Sequence, residues 1–306
     1  MASVGIASAG IAAALLSGCA TSAQHVPTAT PSPSSGTASS HPAATTSSRP
    51  APRAAQPDAA QLRAVADSAV AALAKGQPAG SVSVAAVNTV TGASFAAGAT
   101  SGMWTASAYK LFVLETLLLR SQQQGTTLSD TQVAQATSMI ENSDNEAGYD
   151  LFLAAGGNAG LSSAAAAFGM SHTVPGRTDP TFTTTSAMDY LMLLKNLVHA
   201  GPLSAASRSF VLGLMRDVEA DQRWGVGVVA DPGTDFANKN GWLSVDNTNG
   251  PGEDDNGRWV VSSVGVITVH GQQVLMAAFS EHQSSMAAGV TLVQNLAEAV
   301  APAVAR

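Results

Sequence analysis

Two patterns of apolar and polar residues divide the chain. Ser81-Val82-Ser83-Val84-Ala85-Ala86-Val87 alternates and predicts a strand, Asn88 to Gly92 a turn, and residues 93–97 its hairpin partner. Alternation returns late in the chain, at 260–269 and 274–279, predicting a second antiparallel hairpin that turns at His270-Gly271-Gln272. A further strand is expected over 236–243, and 246–258 reads as a polar loop. Between these stretches the apolar residues recur at helical spacing. Helices are expected from about 107 to 120, at 129–139 with Ser129 or Asp130 as cap, and at 147–155, 161–168, 185–200 and 204–216. Two more flank them, at 58–75 with Leu62, Val65, Ala69, Ala72 and Leu73 on one side, and at 294–300. The chain thus has strands toward both ends and helices between.

The first 57 residues follow neither pattern. Val4 to Leu16 is an apolar run too short to span a bilayer, and it is followed by small residues, as in a secretory signal. Met1 to Gly10 carries no Lys or Arg, a departure from the usual charged start. Leu16-Ser17-Gly18-Cys19 resembles the bacterial lipobox, which implies a signal segment over 1–18, a lipid anchor on Cys19 and export to the outer face of the cell membrane. Residues 19–57 are Ser, Thr, Ala and Pro with few aliphatic side chains, too little apolar surface to offset ordering entropy, and are expected to be a disordered tether. The folded domain is expected over 58–306.

Composition narrows the classes. Of the 306 residues 45% are hydrophobic, enough for a sizeable core, while only 11% are charged and the net charge is -7. No basic cluster suits nucleic acid. Cys19 is the one cysteine, so no intramolecular disulfide is available. The six histidines, at 25, 41, 172, 199, 270 and 282, show no metal-ligand spacing, and neither a metal nor another cofactor is expected. The Gly-rich stretch 154–160 lacks the preceding strand and the basic residue of a phosphate cradle, and reads as a turn.

The chemistry gathers at Ser107-Ala108-Tyr109-Lys110. Residues i and i+3 share a helix face, so the Ser107 hydroxyl and the Lys110 amine can meet. A desolvated lysine can take the proton that an unaided serine keeps, and a helix N-terminus favours the oxyanion that follows attack. Ser143-Asp144-Asn145, between two expected helices, could face that pair; alone it would be ordinary turn chemistry. Lys239-Asn240-Gly241 opens the strand at 236–243.

Ser-x-x-Lys, Ser-Asp-Asn and a Lys-x-Gly triplet, in that order, resemble the signature of class A β-lactamases and penicillin-binding proteins. The resemblance covers about Asp58 to Arg306, including Thr183-Thr184-Thr185-Ser186-Ala187-Met188. It implies an α+β fold of three-layer α/β/α type, in which an antiparallel sheet of N- and C-terminal strands is packed by helices beside an all-helical subdomain. It also implies roles. Ser107 would be the acylated nucleophile, Lys110 its base, Ser143 the proton donor to the leaving nitrogen, and Lys239 the charge that attracts a substrate carboxylate and tunes Ser143. Asn145 would hold a substrate amide, Asn240 would stand where a hydroxyl usually meets the carboxylate, and Gly241 would let the strand approach. The amides of Trp242 and Ser107 would form the oxyanion hole. Arg223 or Arg258 would be the further carboxylate contacts to consider.

Four departures qualify the resemblance. Asn240 replaces Thr, Trp242 is bulky and expected to narrow the cleft, and Ser107 and Ser143 stand closer in sequence than is usual. The fourth is chemical: between Gly169 and Ser186 there is no Glu to activate the water that clears the acyl-enzyme, and Asp179, expected to brace the loop with Arg177, is the sole carboxylate. The expected function is an exported serine hydrolase acylated by a β-lactam. The alternatives are a D-Ala-type cell-wall peptidase and an envelope lipoprotein that binds penicillin as a sensor. A monomer is expected, with no partner beyond the substrate and the membrane.

Overall fold

One open sheet joins strands from the two ends of the domain. In the computed structural model, which describes residues 57–245 and 256–305, β1 (Val82–Asn88) and β2 (Ser94–Gly98) form the expected hairpin, and β1 adds to the C-terminal strands. Those are β5 (Ala237–Ser244), β6 (Trp259–Val269) and β7 (Gln272–Gln283). All neighbours are antiparallel in the order β2-β1-β7-β6-β5, with Ala85 opposite Ala277 and Lys239 opposite Val264. The signal segment with Cys19, nearly all of the 19–57 tether and most of the 246–258 loop lie outside the described residues.

Both faces of the sheet are apolar because both are covered. Val274, Met276 and Ala278 of β7 face α1 (Ala59–Ala74) and α8 (Met286–Val304), while Leu275, Ala277 and Phe279 face the other layer. That second layer holds α2 (Tyr109–Gln123), α3 (Asp130–Glu141), α4 (Asn145–Ala154), α5 (Gly157–Phe168), α6 (Ala187–Val198) and α7 (Ala205–Arg216). The three-layer α+β arrangement is the expected one. Helix α2 is its axis: every residue from Tyr109 to Leu119 is buried, so it packs on all sides instead of along one stripe.

Several boundaries differ from the sequence reading, each for a local reason. Helix α8 starts eight residues earlier than expected, at Met286, because Ser285 caps it and Gly289 lets it close on the sheet; a Cβ there would sit 2.4 Å from Val261 Cγ2. Helix α5 begins at Gly157, inside the presumed turn, since a Cβ at Gly160 would meet the Ala155 carbonyl at 2.0 Å. Ser129, not Asp130, caps α3, in a capping box with Gln132. A two-stranded ribbon of β3 (Met103–Trp104) and β4 (Thr184–Thr185) was not legible, because two-residue strands carry no periodicity.

Helix α2 also carries a buried acid that the expected chemistry does not use. Glu115 is fully buried, and neither its carboxyl oxygens nor the nearby Tyr190 hydroxyl has a hydrogen-bond partner among the described residues. Burial raises the Glu115 pKa well above its ordinary 4.5. The folded state therefore keeps a proton that the unfolded chain releases above about pH 4.5, and this contribution to stability, complete below that pH, is lost as pH rises through the folded pKa. Urea unfolding between pH 5 and 8 should show stability falling by up to about 1.4 kcal/mol per pH unit, with Glu115→Gln removing that component. Identical slopes in the two proteins would show that Glu115 does not titrate in this way.

Candidate active site

The nucleophile turn is held by three elements before α2 begins. Ser107 lies in a 3-10 turn, Ala106–Ala108, and the regular helix starts at Tyr109. Thr105 donates its amide to the Thr183 carbonyl at 3.0 Å, and its own carbonyl accepts from Ala108 N at 3.1 Å and from Ser262 Oγ of β6 at 2.7 Å. The turn needs this support, since Ala106 has φ 44°, a left-handed conformation that costs a non-glycine residue about 1–3 kcal/mol. Ser143 shares that strain, with φ 59°. The expected nucleophile thus sits next to a strained residue, and the expected proton donor is itself strained.

Two lysines converge on Ser143. Lys110 is fully buried, and its Nζ donates to Asn145 Oδ1 at 2.6 Å, to the Ser143 carbonyl, and to Ser107 Oγ and Ser143 Oγ at 3.2 and 3.3 Å. Lys239, also fully buried, donates to Ser143 Oγ at 2.9 Å and to the Asn240 carbonyl at 3.0 Å. Burial lowers the Lys110 pKa to about 8, with Asp144 opposing the shift. Lys239 lies well below its ordinary value, through burial and then the charge of Lys110. Two ammonium groups on one hydroxyl in a dry site repel, so a neutral amine becomes accessible near neutral pH. Such an amine can take a proton from Ser107, and Ser143 Oγ touches both lysines and can pass one on.

The binding residues divide. Asp144 caps α4 by accepting from Ala147 N at 2.8 Å, so Asn145 becomes the exposed first residue of the helix. Its Oδ1 belongs to Lys110, leaving the NH2 end for a ligand. At Gly241 a Cβ would be 2.5 Å from Ser262 Oγ, 2.6 Å from Thr105 O and 2.7 Å from Ala108 N, so only glycine lets β5 lie across the Ser107 turn. This contact brings the backbone at Gly241 and Trp242 beside Ser107.

Four expectations change. Asn240 and Trp242 alternate with Lys239 and Gly241 along β5 and take the other face. Asn240 Nδ2 donates to the carbonyls of Gln222 at 2.8 Å and Trp224 at 3.1 Å, which occupies the two hydrogens that a substrate carboxylate would need. The Trp242 ring lies 6.0 Å from that of Trp224 and joins the apolar cluster on the α1 and α8 side, so it does not narrow the cleft. Arg223 donates to the Arg216 carbonyl at 2.7 Å and stacks on Phe236, and Arg258 lines a separate groove with Gln77, Gln283 and Asn295. Asp179 forms no brace with Arg177; its Oδ1 accepts from Thr181 N at 2.8 Å and Thr181 Oγ1 at 2.6 Å, because a carboxylate two residues before an amide closes a local turn more readily than it reaches an exposed guanidinium.

Tyr109 and Gly148 escaped the sequence reading. The Tyr109 hydroxyl and the Lys110 stem both press on Gly148 of α4, where a Cβ would be 2.7 Å from Tyr109 Oη and 3.0 Å from Lys110 Cε. A glycine in mid-helix was the available signal. Among the described residues no group of three or more His, Cys, Asp and Glu side chains could hold a metal ion.

Gly241→Ala tests the close approach. It should lower stability by about 1–3 kcal/mol in urea unfolding, as overpacking does, because the three atoms it meets include two of backbone. An unchanged midpoint would mean that β5 does not rest on the Ser107 turn.

The family model described as "Beta-lactamase enzyme family" matches residues 118–304. No curated protein matches the chain in sequence. Among solved structures, PBP-A is similar with a TM-score of 0.65 at 20% identity, over 78% of this chain and 95% of that one. A variant of PBP-A, described as an acyl-enzyme complex with penicillin G, gives 0.65 at 20% identity over 78% and 96%. A class A β-lactamase representative from Bacteroides cellulosilyticus DSM 14838 gives 0.64 at 13% identity over 79% and 98%. At these identities the structures speak for the fold, and the family match extends over more than half of the sequence. The chain therefore belongs to the β-lactamase enzyme family.

Proposed function

We propose that this protein is an exported serine hydrolase that a β-lactam acylates at Ser107. One observation carries the reading: the buried Lys110 amine, its pKa lowered to about 8, touches the Ser107 and Ser143 hydroxyls and Asn145 at once. In this reading neutral Lys110 takes the Ser107 proton as Oγ attacks the lactam carbonyl carbon. The oxyanion is met by the amides of Ser107 and Trp242. The lactam C–N bond then breaks, and Ser143 gives its proton to the nitrogen and is resupplied from Lys110. Lys239 would meet the substrate carboxylate, whose negative charge favours the protonated form that burial and Lys110 oppose in the empty site, and the Asn145 amide nitrogen would hold a substrate carbonyl.

A second reading shares the acylation step and differs afterwards. With no Glu in the 169–186 loop, the acyl group would be cleared slowly, which suits a penicillin-binding or D-Ala-type peptidase role. The similarity to PBP-A, a variant of which is described as an acyl-enzyme with penicillin G, supports it. In either case the lipobox at Cys19 would tether the domain to the outer face of the membrane.

Intact mass after mixing with a labelled penicillin should show one adduct per chain, absent from Ser107→Ala. Because Lys110 must be neutral to act, the acylation rate should rise with pH and level off above about 8. Asp144→Asn should move that midpoint down, since Asp144 raises the Lys110 pKa, and Lys110→Arg should slow acylation by about 10²–10⁴-fold. No adduct at any pH would end the β-lactam reading.

A further inference from the structure

A groove of about 890 Å³ runs between the end of α1, the end of β7 and the first turns of α8, within the size range of small-ligand sites. Its floor is apolar: Leu73 and Leu292 line it and also join the apolar cluster on that side of the sheet. Its walls are polar, for Gln77, Arg258, Gln283 and Asn295 bring three amides and a guanidinium to them. The Arg258 side chain is exposed and forms no hydrogen bond or ion pair with another described residue; only its backbone carbonyl is engaged, accepting from Val245 N at 2.8 Å. It directly precedes Trp259, which stands opposite Gln283 in the pairing of β6 with β7, so the charge and the amides share one part of the groove.

The amides are fixed in orientation. Gln283 is only 5% exposed, and its Nε2 donates to the Glu281 carbonyl at 2.7 Å and to Gln77 Oε1 at 3.0 Å. The bond to a backbone carbonyl decides which end of the Gln283 amide is nitrogen, and the second bond then decides the same for Gln77. What remains is an acceptor, Gln283 Oε1, beside a donor, Gln77 Nε2. Neither bonds another described residue, and neither is sealed from solvent. A largely buried amide with an unused acceptor is costly unless water or a ligand meets it. The chain holds this arrangement against strain, because His282, between the two bonded residues, has φ 59°, which costs a non-glycine residue about 1–3 kcal/mol.

These groups select a class of ligand. At this end of the sheet β6 pairs with β5 on one side and β7 on the other, so an extended peptide finds no free backbone there to pair with. One arginine is too little charge for nucleic acid. A small inorganic anion would leave the amides and the apolar floor unused. Sugar hydroxyls both donate and accept, as the Gln77 and Gln283 pair does, the C–H faces of sugar rings suit Leu73 and Leu292, and a carboxylate suits an unpaired guanidinium. We propose that this groove binds an acidic saccharide, with its carboxylate on Arg258 and its hydroxyl or acetamido groups on Gln77, Gln283 and Asn295. The site is separate from the Ser107 cleft: Ser262, whose hydroxyl supports the nucleophile turn, comes four residues after Arg258, about 13 Å along an extended chain. Binding there does not depend on whether Ser107 is acylated.

The test titrates the whole protein with N-acetylmuramic acid, a sugar ring that carries both an acetamido group and a carboxylate, and follows the side-chain amide signals by NMR. Those of Gln77, Gln283 and Asn295 should shift together and saturate. N-Acetylglucosamine, which has the ring without the carboxylate, should bind about tenfold more weakly or less, as loss of a charge-assisted hydrogen bond implies, and so should D-lactate, which has the carboxylate without the ring. Arg258→Ala should bring the acidic sugar to the level of the neutral one and leave the neutral one unchanged, while Arg258→Lys should recover part of the difference. Asn295→Ala should weaken both sugars, and Ser107→Ala should bind as the parent does. Absence of any saturable shift overturns the inference. So does equal affinity for the acidic and neutral sugars, and so does lactate binding as tightly as the acidic sugar, which would reduce the groove to a simple anion site. Loss of binding in Ser107→Ala would place the sugar in the acylation cleft and overturn it as well.

Discussion

Two buried lysines on one serine set the terms for the rest of this molecule. Removing an ammonium group from water costs several kcal/mol unless partners replace the hydration, and here two share Ser143 Oγ. Repulsion between them and loss of solvent both favour a neutral amine. The acceptors that make this tolerable come from separate elements: Ser107 from the turn before α2, Ser143 and Asn145 from the start of α4, and the Asn240 carbonyl from β5. The sheet and the helical layer must therefore meet at one point, and the cluster is where they do.

The surrounding fold makes that meeting rigid. Helix α2 is buried on all sides, so Lys110 cannot swing out to water without disturbing the core. Strand β5 can lie across the nucleophile turn because Gly241 has no side chain, and α4 can lie against Tyr109 and Lys110 because Gly148 has none. Ala106 and Ser143 keep left-handed backbones that neither would choose in isolation. Strain of this kind persists where the neighbours over-determine the chain, as the contacts of Thr105 with Thr183 and Ser262 do here.

Much of this was legible beforehand, for reasons that can be traced to particular residues. The β6–β7 hairpin announced itself by alternation, and α3 by Ser129 with Gln132 three residues on. Ser107 and Lys110 are three apart on one helical path, so their contact needed little tertiary information. The ribbon of β3 and β4 left no pattern to find, and the extents of α5 and α8 were hidden by glycines that serve packing where they resembled breakers. Trp242 was misplaced because bulk is visible in a sequence while the face of a strand it takes is not.

By itself the sequence determined the order of elements, the antiparallel pairing of local hairpins, the helix caps, and the residue types able to perform serine acyl chemistry. These depend on neighbours within a few positions, whose periodicity and hydrogen-bonding capacity are written along the chain. Only the tertiary structure decided that Lys239 reaches Ser143 across 96 residues, that the Asn240 amide turns to Gln222 and Trp224, and that the Asp179 turn rests beside Ser107. Those outcomes follow from which face of each element is buried and against what, and burial is a property of the assembled layers.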